Sequence, residues 1–212
     1  MYQKRVLLAD DHAIVRFGVR EILKPSFGLE IVAEAEDGKQ AIDLIMQEQP
    51  DVAILDYSLP LINGLEVTRQ VKARGSKVEI IIFTMHDNDS IADECLSCGA
   101  RAYLLKSEPK QLVSAAVEAA ADHKPLVAGA AVKRMLEGYN RNADNKRPLL
   151  TPRERTIVQL IAEGHSNKAM SRVLNLSVKT IETHRASVMQ KIAAKSTASL
   201  VRYAVKHLLV EP

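Results

Sequence analysis

Residues 51–56 read Asp-Val-Ala-Ile-Leu-Asp, four apolar residues closed at each end by a carboxylate. A continuous apolar run this short, bounded by polar residues, predicts a strand buried on both faces, as in the middle of a parallel sheet. On either side, GKQAIDLIMQ (38–47) and GLEVTRQVKA (64–73) carry apolar residues at helical spacing. The run is therefore flanked by helices rather than by hairpin partners. The same unit recurs outward in both directions. RVLLAD (5–10), EIVAEAE (30–36), VEIIIFT (78–84) and AYLLK (102–106) alternate with the helix-like stretches 14–23, 89–98 and 108–120. Five strand–helix units predict an α/β fold, a doubly wound five-stranded parallel sheet over residues 1–125.

Beyond residue 125 the pattern changes. Residues 126–148 hold room for one short helix and then a polar, charge-rich stretch from Gly138 to Pro148, which reads as a linker. From Leu149 to Pro212 the periodicity is wholly helical. Thr151-Pro152-Arg153-Glu154 has the form of a capping box with proline at the first helical position, so a helix runs to about Glu163 and stops at Gly164. Ser166 caps a second helix, NKAMSRVL, and Asn175-Leu176 turns the chain. Ser177 caps a third helix of about four turns over 178–193, and SLVRYAVKHLLV (199–210) forms a fourth. The second domain is thus an all-α, four-helix unit.

The composition agrees with two soluble domains: 212 residues, 47% hydrophobic and 26% charged. No apolar run approaches the ~18 residues of a membrane span, and the opening MYQKRVLLAD has no signal-peptide character, so a cytoplasmic protein without membrane contact is expected. Residues 1–125 hold 14 basic and 20 acidic side chains, a net −6, whereas residues 126–212 hold 15 and 6, a net +9. Such an imbalance points the second domain, and not the first, toward a polyanion. Cys95 and Cys98 lie in a helix-like stretch with no second cysteine pair to complete a metal site, which argues against zinc or redox chemistry.

In an open α/β sheet the ligand site lies beyond the carboxyl ends of the strands. Those ends carry Asp10 and Asp11, Asp56, Thr84 and Lys106. Clustered carboxylates repel one another, and a hard divalent cation, Mg²⁺ beside phosphate, is the natural remedy. A metal-neutralised Asp can attack phosphorus while a hydroxyl and an ammonium take the remaining equatorial oxygens, roles that Thr84 and Lys106 fit. Taken singly each residue has a plain structural reading; Asp11, for instance, could cap the following helix.

The residues that carry this chemistry also resemble a known domain. Asp10-Asp11 after VLLA, Asp56 followed by Ser58-Leu59-Pro60 and Asn63-Gly64, Thr84 after IIIF, and Tyr103-Leu104-Leu105-Lys106 after Gly99-Ala100 resemble a response-regulator receiver domain of flavodoxin-like fold. The resemblance implies that Asp56 accepts a phosphoryl group from a sensor histidine kinase. Asp11, Asp56 and the Ser58 main-chain carbonyl would surround Mg²⁺, with Asp10 acting mainly through water. It also implies a switch in which Thr84 moves toward the phosphoryl group and Tyr103 turns inward. Any catalysis would be limited to slow self-phosphorylation from small phosphodonors and self-dephosphorylation.

SNKAMSRVLNLSVKTIETHR has the length and turn chemistry of a helix-turn-helix, with Val178, Ile181, Val188 and Ile192 as the buried stripe of its second helix. The string from Leu150-Thr151-Pro152-Arg153-Glu154 through Lys179-Thr180-Ile181-Glu182-Thr183-His184 resembles a LuxR-type DNA-binding domain, so that the whole chain resembles a NarL/FixJ-family response regulator. On that resemblance Lys179, Glu182, Thr183 and Ala186 face the bases of promoter DNA, while Asn167, Lys168, Thr180 and Arg185 meet phosphates. Lysine can donate to guanine, glutamate can accept from cytosine, and the Ala186 methyl can touch thymine. A ridge along Leu200, Tyr203, Ala204, His207 and Leu208 would serve a homodimer matched to two-fold sites, and RNA polymerase is left open as a further partner. Two departures stand out: Ser107 follows Lys106 where an acid is common, and Ala186 replaces longer polar residues. The competing readings are a DNA binder indifferent to phosphorylation and an Asp-nucleophile phosphatase; against the latter, Ser58 sits where a general acid would be needed.

Overall fold

The computed structural model describes residues 3–24, 28–124 and 150–210. The short helix expected within 126–148 lies outside the described residues.

The first 121 residues alternate strand and helix throughout: β1 Lys4–Ala9, α1 Ala13–Leu23, β2 Leu29–Ala35, α2 Gly38–Glu48, β3 Val52–Leu55, α3 Gly64–Ala73, β4 Glu79–Thr84, α4 Asp89–Ser97, β5 Ala102–Leu105 and α5 Lys110–Ala121. All pairings are parallel and the strand order is β2-β1-β3-β4-β5. The order reverses between β1 and β3, which opens a crevice at the carboxyl ends of those two strands. The central strand β3 is buried at every position, as its unbroken apolar run predicts, whereas the edge strand β2 is mostly half-buried. Two apolar layers result. Leu7, Ala53, Leu55, Ile80 and Ile82 pack under α2, α3 and α4, while Val6, Leu8, Ile54, Ile81 and Phe83 pack under α1 and α5. Strand periodicity alone sorts these residues between the two faces.

The helical domain comprises α6 Pro152–Ala162, α7 Asn167–Leu174, α8 Val178–Lys191 and α9 Thr197–Lys206. Thr151 and Glu154 form the expected capping box, and Ser166 and Ser177 cap α7 and α8. Gly164 takes a φ of +86° and Asn175 one of +51°, the left-handed turns that end α6 and α7. One boundary differs from the sequence expectation. Ser196 caps α9, which starts two residues early, and the helix stops at Lys206 because Leu208 is left-handed at φ +53°. Ile157, Leu160, Met170, Ile181, Val188, Leu200 and Ala204 form the core of this domain. Among the described residues, no helix is long and apolar enough to cross a membrane.

The two domains touch. Leu61, in the loop after β3, packs against the helical core, and Leu208 packs against the apolar layer under α2, α3 and α4. The Arg155 guanidinium reaches Glu94 of α4 at 2.8 Å, and Glu94 is also held by Arg69 at 2.8 Å.

Candidate functional site

The crevice at the strand ends brings together Asp10, Asp56 and Lys106. Lys106 Nζ lies 2.7 Å from Asp10 and 3.1 Å from Asp56, with all three side chains about nine-tenths buried or more. β1, β3 and β5 each supply one of these groups from a strand terminus, so sheet register sets the geometry. Arg16 from α1 adds support by donating to the Asp10 carbonyl at 2.7 Å while its other nitrogens hold Glu34 and Glu36. Burial pushes the Asp56 carboxyl up, and Asp10 beside it acts in the same direction against Lys106. Burial works against the Lys106 ammonium, yet Asp56 and Asp10 together hold its pKa above the usual lysine value.

Asp11 adjoins the trio on the Asp10 side. Its carboxylate is partly exposed and meets His12 Nδ1 at 2.7 Å, and Asp10, Asp11 and His12 offer donor atoms within 4.8 Å of one another. Asp11 does not cap α1; the N-cap is His12, without a side-chain hydrogen bond. Thr84 is fully buried and its hydroxyl oxygen accepts the His86 amide at 3.2 Å. Ser58 Oγ pairs with His86 Nε2 at 3.0 Å, and Tyr103, 1% exposed, donates its hydroxyl to the His86 carbonyl at 2.6 Å. His86 thus ties the loops after β3 and β4 to the Tyr103 ring. His12, Arg16 and His86 were not singled out from sequence, where only their spacing from Asp10 and Thr84 marks them. Cys95 is buried, which pushes its thiol up to about 12, and neither cysteine joins a metal-binding group among the described residues.

On the helical domain, Lys179, Glu182, Thr183 and Ala186 are all exposed along one face of α8, and Lys168 is exposed at the start of α7. Thr183 Oγ1 donates back to the Lys179 carbonyl, and Thr180 Oγ1 pairs with the Ser177 cap. Arg185 spans three helices, reaching Asn167 Oδ1 at 3.3 Å and Thr197 Oγ1 at 2.7 Å, so Asn167 and Arg185 arrive as a preassembled pair. Two expectations need correction. Val178 is 39% exposed rather than part of the buried stripe, because it is the first residue of α8 and lies beyond the core. The ridge on α9 is not free: Leu200 and Ala204 are 0% exposed and belong to the domain core. Tyr203 and His207 remain nearer the surface, with rings 4.1 Å apart.

Comparison with known proteins agrees with this geometry. Residues 6–118 match the response regulator receiver domain and residues 148–204 match the bacterial regulatory proteins of the luxR family. The oxygen regulatory protein NreC of Staphylococcus carnosus is 35% identical over 215 residues, covering 98% of this chain and 99% of the relative. Among solved structures, Salmonella typhimurium RcsB superposes with a TM-score of 0.67 at 28% identity, covering 97% of this chain and 98% of that one. The signal receiver domain of the response regulator NarL from Mycobacterium tuberculosis covers 58% of this chain and 100% of its own, with TM-score 0.57 and 33% identity. A receiver fold carrying an acidic pocket, followed by a LuxR-type helix-turn-helix over nearly full-length relatives, places this chain in the NarL/FixJ family of two-component response regulators, which are DNA-binding transcription regulators.

Proposed function

We propose that Asp56 is the phosphoacceptor, that a sensor histidine kinase is the donor, and that the modification controls dimerisation and sequence-specific binding to promoter DNA. The observation that carries this reading is the Lys106 ammonium placed 3.1 Å from the Asp56 carboxylate and 2.7 Å from Asp10 inside a buried pocket. The residues also suit a hard cation. Their donors are carboxylate oxygens, and burial, with Asp10 adding to it, holds the Asp56 pKa up even though Lys106 pulls it down. Asp11, Asp56 and the Ser58 main-chain carbonyl would hold Mg²⁺, with Asp10 acting through water. When bound, the ion neutralises the carboxylates and takes one phosphoryl oxygen.

A carboxylate oxygen of Asp56 forms the new bond to phosphorus as the bond to the donor nitrogen breaks, and the departing imidazole keeps that electron pair and takes its proton from solvent. Lys106 releases Asp10 and turns to an equatorial phosphoryl oxygen, and the Thr84 hydroxyl donates to another. Tyr103 is already turned inward in this structure, so the expected inward turn is not the switching step; through His86, joined to Ser58 and Thr84, a change at Asp56 would pass to the loop after β4.

In the helical domain, residues 149–212, Lys179, Glu182, Thr183 and Ala186 face base edges. Lys168, Thr180 and the Asn167–Arg185 pair meet phosphates near the starts of α7 and α8. Two Salmonella RcsB structures, bound to the promoters rprA and P1flhDC in the presence of phosphomimetic BeF3-, support this reading; they match with TM-scores of 0.63. With Leu200 and Ala204 in the core, dimer contact on α9 falls to Tyr203 and His207.

The test is to treat the full chain with Mg²⁺ and a small-molecule phosphodonor, and to follow oligomeric state and promoter binding beside Asp56→Asn. Phosphodonor-dependent DNA binding that Asp56→Asn abolishes is the expected result. Equal DNA binding with and without the donor would overturn the control mechanism.

A further inference from the structure

The loop from Ser58 to Asn63 is held by the other domain. Gln159, 2% exposed on α6, donates its amide to the Leu59 carbonyl at 2.8 Å and accepts the Asn63 backbone N–H at 3.2 Å. Glu163, one turn on, accepts the Leu61 N–H with both carboxylate oxygens at 3.1 and 3.2 Å, and Gln159 also donates to Glu163 at 2.8 Å. Leu61 sits at φ +66°, a strained conformation for a branched residue that persists only where its surroundings impose it. These are side chains of the DNA-binding domain gripping main-chain atoms of the receiver.

The gripped segment is stiff. Only the two dihedrals of Leu59 separate the Ser58 carbonyl from the Leu59 carbonyl, and the following Pro60 confines Leu59 to extended geometry. The Leu59 side chain is fully buried, and the Pro60 carbonyl accepts the Gly38 and Ile62 amides at 3.0 and 2.7 Å. At the far end the Gly64 amide donates to Tyr57 at 2.9 Å, and a Cβ on Gly64 would stand 2.3 Å from the Asp56 carbonyl. A hold on Leu59 and Asn63 therefore reaches Ser58 and Asp56 with little slack between.

Resting on the reading that the Ser58 carbonyl and Asp56 carboxylate hold Mg²⁺, we infer that Gln159 is a positioning residue for that site. Its two bonds preorganise the loop, so docking of the DNA-binding domain raises the affinity of the receiver for the cation. Linkage requires the reverse as well: the cation strengthens docking by the same factor. Coupling between sites begins at about fivefold, the magnitude expected from two neutral hydrogen bonds acting through a short rigid segment.

The test uses the full chain and titrates Mg²⁺ by calorimetry on the wild type, Gln159→Met and Arg155→Met. Methionine keeps the volume of Gln159 while removing both bonds. Arg155→Met loosens docking through Glu94, away from the loop, and so separates docking from local packing. The expected result is about fivefold weaker Mg²⁺ binding in Gln159→Met and a smaller loss of the same sign in Arg155→Met. In the wild type, Mg²⁺ should also slow hydrogen exchange at the Leu61 and Asn63 amides, an effect absent from Gln159→Met. Wild-type binding matched by both variants overturns the inference alone. A wild type that binds no Mg²⁺ overturns the reading beneath it.

Discussion

Glu154 offers the sharpest test of how the recognition helix is held. Its carboxylate, on a residue 4% exposed, receives the Thr151 amide at 2.8 Å, Ser187 Oγ at 2.8 Å and Lys191 Nζ at 2.7 Å. Thr151 lies at the start of α6, while Ser187 and Lys191 lie on α8, so a single side chain caps one helix and fastens the other. Burial alone would raise its pKa, but the Lys191 ammonium and the Thr151 and Ser187 donors overcome this and pull it down from 4.5 to about 2. That drop corresponds to roughly 3 kcal/mol of folding stability at neutral pH, reduced toward about 2 because the partly exposed Lys191 is screened by water. Glu154→Gln keeps the shape and removes the charge. In a helical domain of this size, a loss of ~2–3 kcal/mol lowers the midpoint of its thermal transition by about 10–20 °C.

The sign of the pH dependence follows from the depressed pKa. The stabilisation is complete above about 4.5 and fades as pH falls toward 2. The gap between wild type and Glu154→Gln should therefore be widest at pH 6–7 and narrower at pH 3.5. Calorimetry of the full chain would resolve the helical transition, and DNA affinity should fall on all sequences alike as α8 loosens. A gap below ~0.5 kcal/mol at pH 7, or one that widens on acidification, would refute the reasoning.

Gly64→Ala should abolish phosphodonor-dependent labelling of Asp56 and cost at least the ~1–3 kcal/mol of an overpacked core, since the new methyl meets the Asp56 carbonyl at 2.3 Å; full labelling would contradict it. Asp56→Asn should raise the thermal midpoint of the receiver near neutral pH, because burial and Asp10 make its charged form unfavourable. The increment should shrink as pH falls toward the ordinary carboxylate range, where both states are protonated, and a lowered midpoint at pH 7 would count against this. Lys179→Ala should weaken preference for one DNA sequence by about 1–3 kcal/mol. Lys168→Ala should lower affinity on all sequences and reduce the slope of its salt dependence by about one; equal losses on all DNA for both variants would overturn the division.

The fold was legible because its signals are local. The strands are short runs of four to seven residues, and four of the five, all but β2, are followed or closed by a side chain assigned to the crevice, so Asp10, Asp56, Thr84 and Lys106 are placed by the sequence pattern. Caps at Thr151, Ser166 and Ser177 gave the helix starts for the same reason. What escaped was decided by tertiary packing. Leu200 and Ala204 look the same on a helical wheel whether they face a partner chain or their own core, and here they face the core. Gln159 left a trace, an amide inside the apolar run Ile157–Ile161, but periodicity could not say that its partner would be the backbone around Leu59.

The direction of the domain contact bears on how a signal can pass. The receiver docks on α6, through Arg155, Gln159 and Glu163, while the outer face of α8 stays open, with Lys179, Glu182, Thr183 and Ala186 exposed. In this arrangement the receiver does not cover that face of α8. A phosphoryl group on Asp56, as proposed, would meet the DNA-binding domain first through the Ser58–Asn63 loop, whose Leu59, Leu61 and Asn63 main-chain atoms bond directly to Gln159 and Glu163. α6 is in turn fixed to α8 by Glu154. Control exerted along that path alters how firmly and at what angle α8 is presented, and an angle matters most when two copies must meet two half-sites together. A phosphorylation effect transmitted this way is therefore larger on paired half-sites than on a single one, whereas release of a masked helix would raise affinity for both alike.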